Sequence, residues 1–174
     1  MSERYTPKEE IEALNLKPAP KPGIVHISEV MQEYLDQPPQ DERIKTGFRD
    51  LDKFLGYLRP GEVIVFAGRP GTGVSDLALT IAFNIVNPEL DTGKPVCYFS
   101  FGDSSQFQLV RLINMKAHIN SRRLTGKLLS ATESSKISHT LDTLTKLPLY
   151  FDDSQLDFPE LVKRTREAKE AQGI

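Results

Sequence analysis

Apolar residues in this chain fall into two kinds of run, short unbroken blocks and stripes at helical spacing. The blocks Val63–Ala67, "PVCYFSF" at 95–101 and "LPLYFDD" at 147–153 are short and rich in β-branched or aromatic residues, and turn signals bound them. Such blocks predict buried strands. Between them the spacing changes to that of helices. Leu77, Ala78, Ile81, Ala82 and Ile85 share one face of a helix over about 74–86. Leu109, Leu112, Ile113 and Met115 point inward from a second over about 104–119. A third helix is predicted over 131–146. A fourth, reaching about 171, starts with a capping box of Asp157 and Glu160. Strands separated by helices imply parallel βαβ units, so the fold class is α/β: a parallel sheet with flanking helices. No internal repeat interrupts this order.

The leading stretch reads differently. Residues 1 to about 25 carry Pro7, Pro18, Pro20 and Pro22 among charges and too few large apolar side chains to offset the entropy of ordering, so they are expected to be disordered. After them Ile27, Val30, Met31, Tyr34 and Leu35 make a helical stripe that Pro38-Pro39 stops. That stripe packs either on its own domain or on a neighbouring subunit. The expected division is therefore a tail with a short helix, 1–43, and a globular unit, 44–174.

Composition narrows the class without naming a ligand. The chain has 174 residues and 39% hydrophobic content, which suits one soluble domain. Lys+Arg 22 against Asp+Glu 24 leaves a net charge of -2, so no global field favours nucleic acid or an anionic membrane. A local exception runs from Ser104 to Lys127, where Arg111, Lys116, Arg122, Arg123 and Lys127 occur with no acidic residue among them. Solvated helix faces explain such a run, with contact to single-stranded DNA as the sharper alternative. Cys97 lies in an apolar block and reads as a small core residue. No signal-peptide core or membrane-length run is visible, so the cytoplasm is the expected compartment. His26, His118 and His139 lack the spacing of metal ligands, and "DDSQLDFPE" lacks the pattern of a calcium loop.

The chemistry sits between the first block and the first helix, in "GRPGTGVS", residues 68–75. In a phosphate-binding loop, glycines turn backbone N–H groups onto phosphates, the following helix adds its dipole, a lysine reaches the outer phosphates and a hydroxyl binds Mg²⁺. Gly68, Arg69, Pro70, Gly71, Thr72, Gly73 and Ser75 keep the shape and the hydroxyl, and Val74 stands where the lysine belongs. The candidate nucleotide-binding set is Gly68 through Ser75, with Ser75 as the candidate Mg²⁺ ligand. Arg69 is the only cation inside the loop. Lys94 and Lys127 follow no glycine-rich loop and read as solvated turn residues.

Ordered blocks across residues 44–174 carry a family resemblance: "TGFRDLD" at 46–52, "RPGE" before the first strand block, "GRPG" at 68–71, "KPVCYFSF", "QLVRL", and "FDDS" at the end of the third block, ahead of a capped helix. They resemble the first part of the RecA-like motor domain of DnaB-type replicative DNA helicases. The resemblance implies a partial RecA-like P-loop fold, ATP and Mg²⁺ as cofactors, and ring-shaped assemblies that hydrolyse ATP between subunits and move single-stranded DNA. It likens the 27–35 stripe to the linker helix by which one subunit holds the next, so helicase subunits of the same family or further copies of this chain are the implied partners. It also marks two departures. The family's loop lysine is Val74, and the glutamate that activates water in its "FSLE" block aligns with Gly102. Asp103, one position on, is expected to point to the other face of a strand and to be no substitute. Loss of a general base costs about 10²- to 10⁴-fold in rate. The family's Mg²⁺-site aspartate, DNA-binding loops and arginine finger have no counterpart in the sequence. The chain is therefore expected to be a truncated motor domain that is catalytically incompetent alone. The alternatives are a non-catalytic module that binds nucleotide or a helicase ring, and a decayed fragment without function.

Overall fold

The computed structural model describes residues 43–90, 93–126 and 129–173. Before these it describes only Gly23, Ile24, His26, Ile27, Ser28, Met31 and Leu35. The tail expected at 1–25 lies outside the described residues except for Gly23 and Ile24, which are exposed, and Val30 and Tyr34 of the leading stripe lie outside them too. The rest of that stripe, Ile27, Met31 and Leu35, is helical and exposed.

The globular unit opens with a clasp. Ile44 and Leu58 form an antiparallel bridge, each N–H donating to the other's carbonyl at 3.0 and 2.9 Å, and α1 (Arg49–Leu55) lies in the loop between them. The buried Asp52 carboxylate accepts from both the backbone N–H and the hydroxyl of Thr46, each at 2.7 Å. Thr46 in turn accepts at its carbonyl from the Asn84 amide, 2.8 Å away on α2 (Val74–Val86). Gly47 takes φ +80°, and a Cβ there would collide with the Asn84 side chain. The Thr-Gly-Phe block thus fastens the start of the unit to the helix that follows the glycine loop.

The sheet has two parallel strands, β1 (Val96–Phe99) and β2 (Leu149–Asp152), in register from Val96 beside Leu149 to Phe99 beside Asp152. Between them run α3 (Ser105–Ala117), the short α4 (Ser121–Thr125) and α5 (Ala131–Leu144); α6 (Phe158–Gln172) follows β2. Leu79 and Phe83 of α2 pack with Leu112 of α3, flanked by Tyr98, Leu149 and Phe151 of the strands. A second cluster, Ile113, Ala117 and Ile119, closes against Ile137 and Leu141 of α5. The parallel α/β arrangement with flanking helices agrees with the pattern in the sequence.

Several expectations need correction. The block 63–67 is not a buried strand: residues 62–69 have no regular secondary structure, and Val63 and Val65 are 89% and 81% exposed. A strand exists only where a neighbour meets its N–H and C=O groups, and in the one sheet among the described residues β1 and β2 pair with each other. The stripe read for α2 is offset. Leu79, Phe83 and Val86 are its deepest residues, because strands and α3 cover the helix on more than one side. Leu109 is exposed rather than inward. Helix α5 ends at Leu144, two residues early, and the helix of 104–119 breaks at His118, which takes a left-handed φ of +53°. Cys97 is only half-buried; burial and the nearby Asp152 raise its thiol pKa. The reciprocal capping box belongs to α5, through Ser130 and Glu133, whereas Glu160 of α6 turns instead to Arg164.

Candidate nucleotide-phosphate site

The glycine loop is shaped by its own backbone. Gly71 and Gly73 take φ of +81° and +85°, a region that costs a side-chain-bearing residue energy. A Cβ on Gly68 would collide with Thr72 and Val74. Thr72 closes the turn, donating to the Arg69 carbonyl from its N–H at 3.1 Å and its hydroxyl at 2.8 Å. Helix α2 starts directly at Val74, with Gly73 as an N-cap that supplies no side chain. Helices α3, α4, α5 and α6 differ: Ser104, Asn120, Ser130 and Asp157 each accept a backbone N–H. The first-turn N–H groups of α2 therefore face the loop without a side-chain acceptor, which is how an anion site is built at a helix start.

The whole run Gly68–Asp76 lines one cavity of about 370 Å³, and one distant residue joins it, Arg111 of α3. All eight sequence candidates, Gly68, Arg69, Pro70, Gly71, Thr72, Gly73, Val74 and Ser75, are thus brought together. Ser75 is exposed on this wall, while Val74 is half-buried and carries no charge into it. Arg111 was legible in the sequence only as one member of a basic run. Its helical neighbour at i-4, Phe107, presents a ring 4.7 Å from the guanidinium. Nη2 of Arg111 lies 3.2 Å from Asp103, Nε lies 3.6 Å from Asp76, and Nη1 is buried with no hydrogen-bond partner. The Arg111 charge also reaches Tyr98, whose phenol pKa is raised by burial and partly restored by the guanidinium.

Gly102 lies in the bend after β1, and a Cβ there would meet open space. Asp103 is not governed by strand alternation as expected, because β1 ends at Phe99. Ser100 shapes the bend by donating its hydroxyl to the Asp103 carbonyl at 2.6 Å, and the Asp103 carboxylate turns to Arg111. The "FDDS" acids are structural: Asp153 accepts from the Ser105 N–H at 2.7 Å, and Asp152 accepts from the Ser154 N–H at 2.9 Å and from Arg164 at 3.0 Å. Of the basic run, Arg123 pairs with Glu133 at 2.8 Å, and Lys127 lies outside the described residues. Among the described residues no group of three or more His, Cys, Asp or Glu could hold a metal ion, and no helix is long and apolar enough to cross a membrane.

A family model described as the DnaB-like helicase C terminal domain matches residues 43–174, most of the chain. This chain belongs to that family. Within the DnaB-like family, the replicative DNA helicase DnaB of Synechocystis sp. is 31% identical over 141 residues, covering 78% of this chain and 16% of the relative. The replicative helicase DnaB of Buchnera aphidicola subsp. Baizongia pistaciae is 31% identical over 126 residues, covering 71% of this chain and 27% of the relative. The fold is similar to that of a solved ATPase domain, with a TM-score of 0.68 at 18% identity over 83% of this chain and 50% of that one. It is similar too to a DnaB-like replicative helicase whose structure was described with its interactions with primase, with a TM-score of 0.69 at 18% identity over 94% of this chain and 43% of that one. The chain thus spans less than a third of these curated DnaB relatives and no more than half of these solved chains.

Proposed function

We propose that this chain is the nucleotide-binding part of a DnaB-like replicative helicase motor, able to hold ATP phosphates but not to hydrolyse ATP by itself. The carrying observation is the single cavity formed by Gly68–Asp76 at an uncapped helix start. Its donors are backbone N–H groups, whose geometry depends on Gly68, Gly71 and Gly73, and these suit the oxygens of a polyphosphate. The Ser75 hydroxyl is the group placed to meet Mg²⁺, which when bound would neutralise phosphate charge. Two groups that hydrolysis needs have no side chain of the right kind: Val74 is apolar and Gly102 has none.

The same reading makes the chain part of an assembly. Val63 and Val65 leave an apolar segment uncovered directly before the loop, and Ile27, Met31 and Leu35 leave a second apolar stripe exposed. Subunits of a DnaB-like helicase, or further copies of this chain, are the partners that would cover them, and DNA unwinding in the cytoplasm would belong to that assembly. Calorimetric titration with ATP and Mg²⁺ tests the nucleotide reading. Saturable binding with turnover no faster than a buffer control is expected. Absence of binding, or steady turnover abolished by Ser75→Ala, would overturn it.

A further inference from the structure

We infer that Arg111 is the phosphate-binding cation of this site, taking over from α3 the role that Val74 cannot fill in the loop. The inference rests on the nucleotide reading above and deepens it. A polyphosphate carries several negative charges, and backbone N–H groups neutralise them only through partial charges. A wall without a full positive charge would bind it weakly. Two side chains lining the cavity carry such a charge, Arg69 and Arg111. Arg69 is exposed within the loop. Arg111 is oriented on three sides: Asp103 holds Nη2 at 3.2 Å, Asp76 stands 3.6 Å from Nε, and the Phe107 ring backs the plane at 4.7 Å.

That arrangement leaves the guanidinium incompletely used. The Nε contact is too long for a hydrogen bond, and Nη1 has none although it is buried. Yet the Arg111 side chain is 25% exposed and lines the cavity, so the exposed part of its guanidinium can give a phosphate oxygen there a charge-assisted bond. The planar fork of arginine suits two phosphate oxygens at once, which a lysine does not. The two flanking carboxylates orient the guanidinium. They are 39% and 60% exposed at Asp103 and Asp76, so solvent weakens their repulsion of an incoming anion.

The test is an exchange of the cation between two positions, read as ATP affinity by calorimetry on the whole chain. Arg111→Gln should weaken ATP binding about tenfold or more, the factor expected for one charge-assisted hydrogen bond. Arg111→Lys should lose less. Adding Val74→Lys to Arg111→Gln should restore affinity, because the charge returns to the same cavity from the loop side. AMP, which lacks the outer phosphates, should respond to none of these changes. Unaltered ATP affinity in Arg111→Gln would overturn the inference while leaving the nucleotide reading intact. Loss in Arg111→Gln that Val74→Lys does not restore would overturn it too, by showing that Arg111 only supports the fold. If the unsubstituted chain binds no ATP, the nucleotide reading fails first and the inference falls with it.

Discussion

The Asn84 side-chain amide donates to the Thr46 carbonyl at 2.8 Å, and both residues are buried. This bond ties the clasp around α1 to the helix that carries the glycine loop, so the clasp stabilises the loop from a distance. Asn84→Ala should destabilise the chain by about 1–3 kcal/mol, the cost of a buried acceptor left unmet. Gly47→Ala should cost at least as much, since it adds a side chain at positive φ into the Asn84 side chain. Thermal denaturation of the two variants checks this; melting curves that overlay the parent would show that the clasp is dispensable.

Val74→Lys should strengthen ATP binding in the otherwise unchanged chain by about tenfold or more, because it adds a charged donor at the head of α2. Hydrolysis should stay at the buffer rate, since Gly102 still offers no base. Parallel calorimetry and phosphate-release assays separate the two effects. Measurable turnover in Val74→Lys would mean that another group activates water.

Asp152 supplies a pH-dependent part of the stability. Its pKa is held down by hydrogen bonds from Ser154 first and by the Arg164 charge next. A depressed carboxylate stabilises the fold above its unfolded pKa and loses that contribution as pH falls through the folded pKa. Asp152→Asn should therefore be less stable than the parent at neutral pH, and the difference should shrink as the solution is acidified below the ordinary carboxylate range. A gap in melting temperature that stays constant from neutral to acid pH would contradict this.

The exposed run Val63–Val65 should drive association. Val63→Lys with Val65→Lys should shift the chain toward monomer in sedimentation at micromolar concentration, without lowering its melting temperature, because neither side chain is packed in the parent. Identical sedimentation of parent and variant would assign association to another surface.

The glycine-rich loop and the helix that follows it were legible in residue order. Glycines at 68, 71 and 73, the apolar Val74 and the side-chain-free Gly102 are properties of single positions, so the place where the loop can turn required no coordinates. Helices α2, α3, α5 and α6 were likewise legible, because periodicity and caps act within a few residues. What lay outside the sequence was everything that depends on pairing at a distance. The block 63–67 has the composition of a strand, yet strand formation is a property of two segments, and among the described residues no second segment meets it. The clasp of Thr46, Asp52 and Asn84 joins residues on two elements. Arg111 looked like one charge in a basic run until tertiary packing brought α3 against the loop, and only that packing placed a guanidinium in the wall beside Val74.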